Sequence, residues 1–111
     1  MATPESNIKA KLDRMLKSLA PNVWYFSPQA GPYGRAGIPD RIVCVNGFFF
    51  AIECKADPRA RPTELQIKCM NEIADAGGRA FVVCDDASIL HVKNLIELAL
   101  KLPRAGSLQA A

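Results

Sequence analysis

Apolar positions along the chain follow two different periods, and the switches between them mark out its elements. Ile8, Leu12, Met15, Leu16 and Leu19 recur at helical spacing until Pro21,. Thr3 suits the N-cap of that helix and Pro4 its first position. Glu5 projects onto the middle of the apolar stripe, while Lys9, Lys11, Asp13, Arg14 and Lys17 fall elsewhere on the wheel or at its margin,. Val23-Trp24-Tyr25-Phe26 is an aromatic and β-branched run that reads as a strand. Two more apolar runs flank Asn46-Gly47, a dipeptide suited to the two-residue type I′ hairpin turn because both residues tolerate positive φ,. With that turn, Val45 faces Phe48, Cys44 faces Phe49, Val43 faces Phe50 and Ile42 faces Ala51. The same register sets Asp40 opposite Glu53, and Lys55 follows on the same face.

Thr63-Glu64-Leu65-Gln66 is a capping box that opens a helix running to Gly77-Gly78,. Gln66 shares a face with Met70 and Ile73. Arg79 to Cys84 reads as a strand, and Asp85-Asp86 as the N-cap of a last apolar segment, Ala87 to Leu102. That segment is mostly helical, with a break expected near His91-Val92 and an end at Pro103,. The order helix, three strands, helix, strand, helix predicts an α/β domain: a small mixed β-sheet with flanking helices. Residues 1–103 form this single domain, and 104–111 read as a disordered tail.

Composition narrows the picture without redirecting it. A chain of 111 residues and net charge +3 has room for one core, and it permits an anionic partner without demanding one,. No apolar run reaches the length of a membrane span, and the N-terminal stretch has no signal-peptide pattern, so a cytoplasmic setting is expected. Cys44, Cys54, Cys69 and Cys84 form no C-x-x-C pair, and the one histidine, His91, has no thiol nearby. That spacing argues against zinc and for free, mostly buried thiols. No role is assigned to His91. The glycine- and proline-rich stretch from Ser27 to Gly37 is a surface loop, not a phosphate-binding loop, since it lacks a G-K-[ST] ending and enters a strand. Tyr33 and Arg35 on it read either as nucleic-acid contacts or as a plain solvated loop.

The candidate chemistry lies at the open end of the hairpin, where Asp40, Glu53 and Lys55 converge. One account is an exposed ion-pair cluster. The other starts from the apolar positions Phe48 through Ile52, which make Glu53 the end of a core strand, where charges are paired or metal-bound. Two close carboxylates repel, a divalent cation relieves the repulsion, and oxygen ligands point to Mg2+ or Mn2+. Glu5 reads either as a complement to the helix dipole or as an inward-facing acid, and Gln66 either as a capping side chain alone or as part of the site.

Gly37-Ile38-Pro39-Asp40, Gly47 and Glu53-Cys54-Lys55 resemble the P-D…(D/E)-x-K signature of restriction-endonuclease-like nucleases. With Glu5 in the first helix and Thr63-x-x-Gln66, residues 5–85 resemble the VRR-NUC family, the virus-type replication and repair nucleases. The resemblance implies a restriction-endonuclease-like or Holliday-junction-resolvase-like core that hydrolyses DNA phosphodiesters with Mg2+ or Mn2+ and no small-molecule cofactor. It implies that Asp40, Glu53 and the Cys54 carbonyl hold the metal, with Glu5 in reach, and that Lys55 acts on the attacking water. Glu5 and Gln66 complete the site from the flanking helices. A homodimer acting on DNA, branched DNA included, in a bacterial or phage-infected cytosol is implied too. Arg35, Arg59, Arg61 and Lys68 are candidate phosphate contacts or solvated charges. Two other classes are rivals: a catalytically silent dimeric nucleic-acid-binding module, against which the intact acids and lysine speak, and a structural protein whose hairpin ends in an ion pair.

Overall fold

The order of elements is α1 (Pro4–Ser18), β1 (Val23–Phe26), β2 (Arg41–Val45), β3 (Phe48–Cys54), α2 (Glu64–Asp75), β4 (Arg79–Val83) and α3 (Asp86–Leu100). The computed structural model describes residues 3–29 and 34–106, so Tyr33 lies outside the described residues. The sheet is organised by the turn at Asn46 and Gly47, whose φ values of 53° and 83° are the positive pair that a type I′ hairpin needs,. The turn fixes the register of β2 on β3, from Val45 opposite Phe48 to Arg41 opposite Ile52. The expected pairing of Asp40 with Glu53 is not a rung of this ladder, because β2 begins at Arg41. Asp40 instead turns its carboxylate to the Cys54 N–H, 2.8 Å away.

The strand order is β1-β2-β3-β4, with β1 and β2 antiparallel to their neighbours and β4 parallel to β3. The parallel step passes through α2, as a crossover requires. Alternation along the strands sorts the side chains between two faces. Val43, Val45, Phe50, Ile52 and Val83 lie on the face covered by α1 and α3, where they pack with Leu12, Leu16, Val92 and Ile96. Glu53, Ala51, Phe49, Cys44 and Trp24 lie on the other face. There α2 packs chiefly on β4. Among the described residues, the β1–β2 half leaves Trp24 63% exposed and Phe26 close to half exposed, as is Phe49 on β3 beside them.

All three helices begin with a capping box: Thr3 with Ser6, Thr63 with Gln66 and Asp85 with Ser88. Each box satisfies orphan N–H groups at a helix start and fixes where the helix enters. The break expected at His91-Val92 is absent. Val92 is buried in the core and His91 meets the Phe81 ring edge-on, so packing carries the helix straight through. Residues 104–106, expected to open a disordered tail, lie against the hairpin turn, with the Ala105 N–H donating to the Asn46 carbonyl. The cysteines are free as expected, but only Cys54 and Cys69 are buried. Cys44 is exposed because it sits on the uncovered face. Among the described residues no helix is long and apolar enough to cross a membrane.

Candidate active site

Glu53 is the one buried charged residue among those described, at 3% exposure. Strand alternation places it on the α2 face, one position short of the end of β3. Its Oε2 receives two cationic or polar partners: Lys55 Nζ at 3.2 Å and Gln66 Nε2 at 2.8 Å. Its Oε1 is buried with no partner. Burial raises the carboxyl pKa from 4.5 to about 7. The charge of Asp40 adds to the rise, while Lys55 pulls the other way. A buried carboxylate with one oxygen unsatisfied is costly and calls for a ligand that would use it.

Asp40 arrives on the loop before β2. Gly37 holds a φ of 80°, and a Cβ there would collide with the Leu65 carbonyl in the first turn of α2. Glycine therefore lets the loop lie directly on that turn, which also carries Gln66, and Pro39 behind it is fully buried,. The carboxylate is fixed from two sides. Oδ2 accepts the Cys54 N–H at 2.8 Å, and Oδ1 lies 3.5 Å from Lys9 Nζ.

Gln66 fills both of the roles open to it. Its Oε1 accepts the Thr63 N–H at 2.8 Å, while its Nε2 donates to Glu53. One amide thus closes the cap and orients the buried acid.

Glu5, open to two readings, lies in the first turn of α1. The stripe of Ile8, Leu12, Met15 and Leu16 is buried, but the first turn ahead of it stays largely exposed. There the Glu5 side chain stays 43% exposed. It pairs with Lys9 at 3.5 Å, one helical turn on, and is linked to Asp40 through that lysine.

Cys54 contributes main chain rather than sulfur. Burial, with Asp40 next, pushes its thiol up to about 12, so the side chain is a neutral apolar body. Its amide holds Asp40.

Sequence reasoning missed Lys9, set off the apolar stripe or at its margin, and the pairing of Arg41 with Asp13. Arg41 grips both carboxylate oxygens of Asp13 at 2.8 and 3.0 Å, and its NH1 donates to the Asp40 carbonyl at 2.8 Å. This bidentate pair ties α1 to the start of β2 and so delivers Lys9 and Glu5 to Asp40. Contacts between distant segments leave no periodic trace.

The proposed phosphate contacts are scattered. Arg35 pairs with Glu72 at 2.7 Å and lines a depression of about 210 Å³ that Asp40 also lines. Arg59 pairs with Asp57 at 3.9 Å, while Arg61 and Lys68 are exposed. None of these three touches either acid through a described contact.

The donors present suit a hard divalent cation: two carboxylates, one with an orphaned oxygen, and no thiolate or imidazole among them,. Among the described residues no three His, Cys, Asp or Glu side chains cluster closely enough to hold an ion alone. The remaining positions would fall to a main-chain carbonyl and water, which suits Mg2+ because it keeps several waters.

Two solved structures have this architecture. One described as "VRR_NUC domain" aligns with a TM-score of 0.69 at 26% identity, over 86% of this chain and 97% of its own. Another, "VRR_NUC domain protein", aligns with a TM-score of 0.71 at 18% identity, over 88% of this chain and 90% of its own. No family model and no curated protein matches the sequence.

Proposed function

We propose that this chain, which has the VRR-NUC fold, is a Mg2+- or Mn2+-dependent endonuclease that hydrolyses DNA phosphodiesters, branched and junction DNA included. The observation that carries the reading is Glu53: a buried carboxylate with an orphaned oxygen, set beside a second acid and a lysine. A purely structural core has no reason to retain that arrangement, since an apolar residue there is as stable or more so.

Asp40, Glu53 and the Cys54 carbonyl would hold the metal. When bound, the ion polarises a phosphoryl oxygen and acidifies a water. Lys55, its ammonium held at Glu53, orients the attacking water and offsets charge gathering on the phosphate. The water oxygen bonds to phosphorus and gives up a proton to solvent, the bond to one sugar oxygen breaks, and that oxygen leaves with a proton taken from solvent. Gln66 keeps the Glu53 carboxylate from turning. Glu5 acts from the rim by pairing with Lys9, and Arg35 is the best placed of the proposed phosphate contacts, since it lines the same depression as Asp40. Arg59, Arg61 and Lys68 would meet DNA farther from the acids.

The chain acts as a homodimer. A second copy would cover the bare half of the sheet around Trp24, Phe26 and Phe49, since an aromatic patch of this kind marks an interaction surface,.

The test is cleavage of junction, flap and linear DNA by the purified protein with Mg2+, with Mn2+ and with chelator. Metal-dependent cleavage that Lys55→Ala lowers at least ~100-fold supports the reading, given the usual size of such catalytic contributions. Equal background for both proteins overturns it. Salt-dependent DNA binding with no cleavage would instead identify a silent binding module of the same fold.

A further inference from the structure

The two acids of the site are held in different ways, and the difference lies in Lys9. Asp40 Oδ2 is committed to the Cys54 amide, which leaves Oδ1 as the oxygen for a ligand. Lys9 Nζ stands over that oxygen at 3.5 Å and over Glu5 Oε2 at the same distance. The lysine does not sit there by chance of a long side chain. It lies one helical turn from Glu5, on a helix that the Arg41–Asp13 pair anchors beside Asp40. On the other acid, Lys55 pairs with Glu53 Oε2 at 3.2 Å, and Oε1 has no hydrogen-bond partner.

We propose that Lys9 is a built-in counter-cation of the site. It holds Asp40 and Glu5 together while no divalent ion is bound, and it must yield Asp40 Oδ1 for the ion to bind. The proposal rests on the metal reading above and adds a positioning residue to it. Lys9 neither binds the metal nor meets the scissile phosphate in this role. Its side chain is about one third exposed, so it has solvent to withdraw into while Glu5 keeps hold of it.

The consequence is an affinity set below what the two carboxylates alone would give. A single positive charge within a few ångströms of a divalent ion, screened as in water, would weaken binding roughly tenfold by Coulomb's law. Lys9→Met keeps the aliphatic stem and removes the charge, and Lys9→Arg keeps the charge. Calorimetric titration with Mn2+ alone, on the full chain, separates the cases, with Asp40→Asn as the control for site occupancy. The expected result is about tenfold tighter Mn2+ binding by Lys9→Met and wild-type affinity for Lys9→Arg. A merely structural lysine would give the opposite or nothing, since loosening Asp40 weakens binding. Should Lys9→Met fail to fold, Lys9→Ala carries the same expectation. Binding that Asp40→Asn abolishes but Lys9→Met leaves unchanged or weakens overturns the role of Lys9 and leaves the metal reading standing. Absence of Mn2+ binding in the wild type and in Lys9→Met overturns both.

Discussion

Replacing Glu53 by glutamine should stabilise the metal-free protein while abolishing its activity. The buried carboxyl has its pKa raised from 4.5 to about 7, chiefly by burial. Between those two values the native state holds a proton that the unfolded state has released. Stability therefore falls as pH rises through this window and levels off above it. At about 1.36 kcal/mol per pH unit, the charged form costs the fold roughly 3 kcal/mol at pH 8. The 3.2 Å pair with Lys55 is already counted against that cost, because it acts to lower the same pKa. Glutamine mimics the protonated acid and can still accept from Gln66. A gain of about 2 kcal/mol is expected, equivalent to roughly 10 °C in melting temperature for a domain of this size. The assay is thermal unfolding of wild type and Glu53→Gln in chelator, from pH 4 to 8.5. The difference should be small at pH 4 and open between pH 4.5 and 7. Mn2+ should then raise the wild type and leave the variant where it was, since a ligand stabilises only the state that binds it. A variant that melts at or below wild type at pH 8, or a difference that does not change with pH, would refute the electrostatic argument.

Other expectations follow from the same contacts. Gly37→Ala puts a methyl group into the Leu65 carbonyl at a positive φ, and should cost about 1–3 kcal/mol in denaturant unfolding, with lost cleavage even where the protein folds,. Thr63→Ala removes the α2 cap and should cost ~1 kcal/mol. Gln66→Ala should cost a similar amount and also lower cleavage, because Gln66, unlike Thr63, also holds Glu53; equal cleavage by both variants would confine Gln66 to capping,. Trp24→Asp should leave the monomer folded and shift sedimentation from dimer to monomer, and an unchanged sedimentation coefficient would place the partner surface elsewhere,.

Much of this fold can be read in single residues because local chemistry decides it. Asn46-Gly47 admits one tight turn, and that turn fixes the register of the hairpin. The capping residues at Thr3, Thr63 and Asp85 mark the helix starts in the same way. The convergence of Asp40, Glu53, Lys55 and Gln66 follows from strand alternation and one capping box. What stayed hidden needs knowledge of where elements end relative to one another. A helical wheel sets Glu5 on the apolar face, but it has no information that the first turn stays outside the packed core. The wheel places Lys9 and Asp13 off the apolar stripe or at its margin, and only the docking of α1 reveals Asp40 and Arg41 beside them. The apolar run around Cys44 looks buried until α2 is seen to cover only the far half of the sheet.

The contact between Asp40 and the Cys54 amide has a further meaning. Successive amides of a strand point to opposite sides, and the Lys55 N–H already serves β4 through the Val83 carbonyl,. On the β2 side, the Asp40 carboxylate thus stands where a partner strand's carbonyl would, and it closes the sheet with a side chain. Opening the end of the sheet and dismantling the site are then one event, with one free energy. The Cys54 amide becomes a resident reporter: its hydrogen-exchange rate reads how often the site comes apart, without any substrate present.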